Sequence, residues 1–262
     1  MNTPGGLNLS VSQSFPKLAH APVVEAVIHW RARAEKPFSQ ALRSELETKF
    51  PDYECHEQRE LFIKAEVTAK GPTAPKTAVT DNWDGFRLKG KDSAEGYVVQ
   101  FKLDGLVVSR LAPYQNWETF ETEAMRWWES YLEIAKPAVI DRLGVRFINR
   151  MNLSEGDSPS TFLADHPRKP IDDVLKSKTF LYQDDYQVVG TPYHMKWVRT
   201  IQSNVEGEQS VLADIDVSCG VYPANDRIGL KKRLAEMRHL KDRLFFSSIT
   251  SAAAERFGIK EE

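Results

Sequence analysis

Two cysteines, Cys55 and Cys219, are all the thiol chemistry in the 262 residues, and they stand far apart with no CxxC. That scarcity argues against a disulfide framework and a thiolate zinc site, and two reduced, buried thiols are expected. The six histidines show neither HxH nor HExxH spacing, so no metal site is read. GxSxG, GxxxxGKS and GxGxxG are all missing. Nothing therefore supports a hydrolase elbow, a phosphate-binding loop or a dinucleotide fold, and no cofactor is implied. No run approaches the roughly 18 apolar residues that a membrane span needs. The opening MNTPGGLNLSVSQ has no apolar stretch of the kind a signal peptide carries, so a cytoplasmic protein without membrane contact is expected.

An excess of one charge is also missing. Thirty-five basic residues face 37 acidic ones, a net charge of −2. A dedicated non-specific nucleic-acid binder needs a net basic face to displace phosphate counterions, so that class is disfavoured, although a local patch stays open. What the chain does have is large apolar side chains: six Trp, eight Tyr and thirteen Phe supply the area for a sizeable core. Its length allows one large domain or two fused small ones.

Periodicity then gives an element order. Residues 1–14, rich in Gly, Ser and Asn, read as a flexible tail. From Val23 to Trp30 the chain alternates, with Val24, Ala26, Ile28 and Trp30 on one face and Val23, Glu25, Val27 and His29 on the other. Pro37-Phe38 opens a helix with Phe38, Leu42, Leu46 and Phe50 four apart, stopped by Pro51. Leu61 to Val67 is a strand, GPTAPKTAVTDN a loop, and Trp83 to Leu88 a short strand. Asp104-Gly105, between two alternating runs, predicts a hairpin with a two-residue type I′ turn. Asn116 caps a helix that Pro137 ends.

A similar order follows in the second half. Leu143, Val145 and Phe147 point inward against Arg146 and Arg150. Helical turns are expected near Phe162 and over residues 171–175, then strands at 186–189, 195–201 and 211–217. A helix starts at Arg227, and a last turn lies in SITSAAAERF. The expectation is an α+β fold of duplicated β-α-β4-α-type units. They would form one mainly antiparallel sheet, because the connections are short, backed by long helices. The halves would be residues 15–137 and 138–262, in one globular unit.

Ala21-Pro22-Val23-Val24-Glu25-Ala26 and the Arg142–Arg150 stretch, Arg-x-Gly-x-Arg-x-x-Asn-Arg, carry a resemblance that spans nearly the whole chain. With the Trp117–Phe120 helix start and FFSSITSAAAERFG, they resemble a sporadically distributed bacterial family of about this length, one that brings no established activity. Its patchy distribution implies mobile accessory genes, including defence and toxin–antitoxin loci. The element order also resembles the saddle of TATA-binding-protein-like folds, an analogy of fold alone.

Glu25, His29, Arg146 and Arg150 form the leading polar set. If the two first strands lie side by side, Glu25 and Arg146 are expected to meet as a hydrogen-bonded ion pair on the open face, fixing how the halves dock. Asp214 and Asp216 alternate on one strand face, a spacing that suits a hard cation, acid–base work or plain solvation. Lys231, Lys232, Arg238 and Lys241 belong to a basic back of the last helix, a candidate partner surface. The reading is a non-enzymatic interaction protein with a protein partner, self-association left open. The first alternative is a nucleic-acid-binding saddle. The second is an enzyme of unfamiliar type using Glu25 or Asp214/Asp216.

Overall fold

A computed structural model describes residues 14–35, 38–66, 76–165 and 179–260. The expected tail, apart from Ser14, and the helical turn at 171–175 fall outside them. In chain order the elements are β1 (Lys17–Leu18), β2 (Val23–Arg31), α1 (Arg43–Lys49), β3 (Tyr53–Glu66), β4 (Lys76–Gly90), β5 (Tyr97–Lys102), β6 (Gly105–Leu111), α2 (Trp117–Ala135), β7 (Val139–Ile140) and β8 (Arg142–Asn152). Then come α3 (Pro159–Phe162), β9 (Leu181–Gln187), β10 (Tyr193–Ser203), β11 (Gln209–Cys219), β12 (Tyr222–Pro223), α4 (Arg227–Ser248), α5 (Ser251–Arg256) and β13 (Ile259–Lys260).

Nine strands make one sheet, ordered β3-β4-β5-β6-β2-β8-β11-β10-β9, with antiparallel neighbours throughout. The fold is therefore α+β around a large antiparallel sheet. β2 and β8 lie side by side near its middle, with Ile28 opposite Val145. The helical layer is thinner than expected. Three of the five described α-helices have seven residues or fewer, and α2 and α4 reach 19 and 22, so a backing of long helices is not supported.

Strand pleating explains the layering. Alternate residues of β2 and β8, Ala26, Ile28 and Trp30 with Leu143, Val145 and Phe147, are buried. Against them α2 presents Phe120, Ala124, Trp127, Trp128 and Tyr131. Trp30 stacks on Trp128 with ring centroids 5.3 Å apart, and Phe50 on Trp127 at 3.5 Å. Arg238 of α4 reaches Glu118 of α2 at 2.8 Å, so these helices share one side of the sheet. Asn116 caps α2 by accepting the Thr119 N–H at 2.8 Å, and Asp226 caps α4 by accepting that of Gly229 at 2.9 Å. No described helix is long and apolar enough to cross a membrane. Cys55 and Cys219 are free and buried, and burial raises both thiols, Cys55 to about 11.

Two local expectations need correction. The loop read over residues 71–82 ends early, because Lys76 already pairs with Glu66 and opens β4. The β5–β6 hairpin exists, but Lys102 pairs with Gly105, so its loop is Leu103–Asp104. Neither has a positive φ, and the turn is not type I′. Gly105 is needed for another reason. It sits at φ +156°, where an added Cβ would come 2.2 Å from the Trp30 carbonyl oxygen.

Candidate functional site

The pleat that buries one side of β2, β8 and β11 turns the other side away from the helices. Glu25, Val27 and His29 of β2 lie on it, with Arg142, Arg146, Ile148 and Arg150 of β8 and Leu212, Asp214 and Asp216 of β11. All six leading polar residues of the sequence reading, Glu25, His29, Arg146, Arg150, Asp214 and Asp216, thus share one face of three adjacent strands. No described helix covers that face.

The pairing differs from expectation. Arg146 forks onto Asp214, Nε to Oδ1 at 2.8 Å and Nη2 to Oδ2 at 2.6 Å. Arg142 reaches Asp216 through Nη2 at 2.8 and 2.6 Å. Both contacts are diagonal, since Asp216 stands directly opposite Arg146 and Asp214 opposite Ile148. Gly144 makes room for the second: a Cβ there would lie 2.5 Å from Arg142 Nη1. The expected Glu25–Arg146 hydrogen bond does not form. A register shift after Val23 sets Glu25 opposite Ile148 and Val27 opposite Arg146, and Asp214 takes the guanidinium. Glu25 acts on Arg146 only through longer-range attraction.

Electrostatics follow from this geometry. The hydrogen bond to Asp214 raises Arg146 further above its ordinary value. Burial raises the Asp216 carboxyl, outweighing the pull of Arg142 and Arg146. Burial and then the Arg142 charge push His29 down to about 4, so it is neutral at pH 7. The face thus carries two closed arginine–aspartate pairs and a neutral imidazole. Both aspartates are engaged by guanidinium, which leaves neither arranged as a general base or as a ligand for a hard cation.

The last helix also needs correction. Its basic residues do not form one uninterrupted face. Arg238 bonds Glu118 and lies 5.7 Å over the Trp117 ring. Lys241 pairs with Asp242, sits 4.1 Å over the Phe147 ring, and has a side chain only 12% exposed. Lys232 is 3.9 Å from Glu236. Lys231 and Lys232 remain outward-facing.

Lys241 points instead into a cleft of about 600 Å³ on the helix side, which the sequence reading missed. The segment Ser14–Ala19, Tyr114–Glu118, Phe147 and Asn149 of β8, and α4 from Ala235 to Phe246 line it. Asn116 was read beforehand only as a helix cap, and Arg238 and Lys241 only as a basic outer face.

Comparison of the chain with protein-family models, with curated proteins and with solved structures finds no match, so the resemblance at Ala21–Ala26 and Arg142–Arg150 confers no family membership and function must be argued from this geometry.

Proposed function

We propose that the protein is a non-enzymatic binding protein that docks a partner protein on the open face of its sheet. One observation carries this reading: four charged groups near the centre of that face, Arg142, Arg146, Asp214 and Asp216, are already paired with one another, and apolar side chains stand between them. Arg142–Asp216 and Arg146–Asp214 are closed, while Val27, Ile148, Leu212 and Val198 are half-exposed among them. Such a mosaic suits burial against another protein, whose interface core is poor in unpaired charge. It suits nucleic acid less, because an unanswered basic stripe is what displaces counterions. Lys102 and Lys196, which such a stripe would use, have Asp84 and Asp185 beside them, at 3.1 and 3.8 Å. Arg199 is buried on the helix side with Asp165 and Asp184.

The same proposal takes the fold as two matched units in a saddle. The order β2-α1-β3-β4-β5-β6-α2 is followed by β8-α3-β9-β10-β11-α4, one strand shorter, with β2 and β8 as the shared seam. That arrangement supports a duplication, residues 15–137 and 138–262, and gives the face its width.

The test is co-expression with the products of neighbouring genes, followed by size-exclusion chromatography with light scattering. A stoichiometric complex is expected, lost in Ile148→Glu and Leu212→Glu while both variants keep the wild-type circular dichroism. Complexes that survive both substitutions would defeat the reading. So would tight binding of a mixed-sequence oligonucleotide whose affinity falls steeply with salt.

A further inference from the structure

We infer that two copies of this chain pair edge to edge through β9, antiparallel about a twofold axis, so that their sheets join into one. The contact is the sheet edge rather than the open face, so this inference and the partner reading stand or fall separately.

The β9 edge is unguarded. Among the described residues β9 pairs with β10 alone. Val188 donates to the Tyr193 carbonyl at 2.9 Å where that hairpin turns. Bonding direction alternates along an antiparallel ladder. Tyr182, Asp184 and Tyr186 therefore bond toward β10, and Leu181, Gln183, Asp185 and Gln187 turn their N–H and C=O groups outward. Such a row is a template for another strand unless something blunts it. The strand, LYQDDYQ, holds no Pro, Gly, Lys or Arg, and its register with β10 runs without a bulge. It also exposes large apolar side chains: Leu181, Tyr182 and Tyr186 are 71, 44 and 45% exposed. The opposite edge is protected. Glu54, Glu57 and Arg59 of β3 face solvent, and its pairing with β4 shifts register after Gln58.

The chemistry of the strand selects a second copy as its occupant. Both aspartates are answered within the chain, Asp184 by Arg199, and Asp185 by Gln183 Nε2 at 3.0 Å and Lys196 at 3.8 Å. β9 therefore has no unanswered charge to repel its own copy or to recruit a strongly basic segment. Centred on Gln183, the antiparallel pairing is self-complementary. Gln183 meets its own counterpart, Leu181 meets Asp185 of the second copy, and Tyr182 meets Asp184, so no like charges stand opposite one another. Phe180, packed on Tyr182 at 5.5 Å between ring centroids, comes opposite Tyr186 as an aromatic cross-strand pair. The outward-turned residues are the ones that exchange backbone hydrogen bonds in this register. A twofold contact of β9 with β9 closes, whereas β9 on β3 would grow without end. The axis stands perpendicular to the sheet, so both open faces lie on one side.

Size-exclusion chromatography with light scattering on the full chain, over a range of concentrations, tests the assignment. A dimer with a dissociation constant of about 10–100 µM is expected, because a single strand on each side makes a small contact. Gln183→Pro deletes only an outward N–H, a position where an edge strand tolerates proline. Gln183→Lys leaves the backbone unchanged and sets two ammonium groups opposite each other. Each should raise the dissociation constant at least about tenfold while circular dichroism stays that of wild type. Ile148→Glu and Leu212→Glu, on the open face, should dimerise like wild type. The inference is overturned by a chain that stays monomeric up to about 1 mM, by open-ended growth, or by a dimer that survives both Gln183 substitutions. A dimer lost in Ile148→Glu or Leu212→Glu would also overturn it, since the copies would then meet on the open face.

Discussion

The two wings of the sheet, on either side of the β2–β8 seam, are held by different physics. Toward β3 the core is built from stacked rings: Trp30 on Trp128, Trp128 on Tyr131, Phe50 on Trp127, and Phe101 against Tyr131. Toward β9 the sheet core is largely aliphatic, with Val211, Ala213, Ile215 and Val217 under Leu230, Leu234 and Met237. There the polar contacts accumulate instead: Arg142–Asp216, Arg146–Asp214, Arg199 with Asp165 and Asp184, and Tyr193 with Glu236. Aromatic burial stabilises strongly, whereas ion pairs near water contribute little. The difference separates a wing held by stacked rings from a wing whose charged surface the docking proposal uses.

The sharpest way to break that contrast is to truncate one side chain in each wing. Trp128 is fully buried between Trp30 and Tyr131, and Trp128→Ala should cost about 3–5 kcal/mol. Ile215→Val, equally buried on β11, should cost about 1 kcal/mol. Urea unfolding with an unchanged slope measures both. Equal losses would erase the distinction.

The seam itself should respond to pH. His29 titrates near 4 in the folded chain, held down by burial first, then by Arg142, with Lys102 and Arg31 adding to the effect and Asp104 opposing it. In the unfolded chain it titrates near its ordinary 6.5. Between these values only the unfolded state takes up the proton, so stability is intact above pH 6.5 and declines as pH falls toward 4. The loss approaches about 3 kcal/mol. Asp216 works with the opposite sign, because its raised carboxyl favours the folded state as acid is added. His29→Leu isolates the imidazole, and the difference in stability between wild type and variant should narrow as pH rises. A difference that is flat with pH would mean that His29 takes up its proton as readily in the fold as in the unfolded chain.

Next in size is Arg142→Met. Its guanidinium and Asp216 are each about a quarter exposed, so the removal leaves a partly buried carboxylate at a cost of about 1–2 kcal/mol. It also takes away a positive neighbour of His29. The imidazole should therefore titrate higher, which proton NMR of the ring would show. An unmoved His29 would disconnect the seam from the charged wing.

What could be read in the sequence was whatever local period controls. The burial of Trp30 and Val145 and the cap at Asn116 follow from alternation and cap chemistry. Features set by distant contacts were not legible. Gly105 is required by the Trp30 carbonyl rather than by a turn type. The Gly71, Pro72 and Pro75 loop signal was carried past Lys76, where pairing with β3 had already begun. The parity of Glu25 and Arg146 correctly placed both on the open face, but the partner of Arg146 depends on a register shift and a diagonal reach that no pattern encodes. Arg238 and Lys241 read as solvent-facing until Trp117 and Phe147 came under them. Tyr114, Asn149 and His239 come to line one cleft only in three dimensions.

The smallest expected effect carries the most information about the charged wing. Arg146 forks onto Asp214 with good geometry, yet its side chain is 47% exposed and that of Asp214 is 18% exposed. Solvent screens such a pair, and ordering two side chains offsets part of the attraction. Arg146→Gln should therefore lower stability by no more than about 1 kcal/mol, read from the urea midpoint at neutral pH and moderate salt. Within the partner-docking proposal the same change should matter far more, because it leaves a lone carboxylate in a face about to be desolvated. A fold that tolerates Arg146→Gln alongside a complex that does not would mean the pair serves recognition. The reverse, a variant that loses several kcal/mol while its complex persists, would make these arginine–aspartate pairs as structural as the tryptophans across the seam.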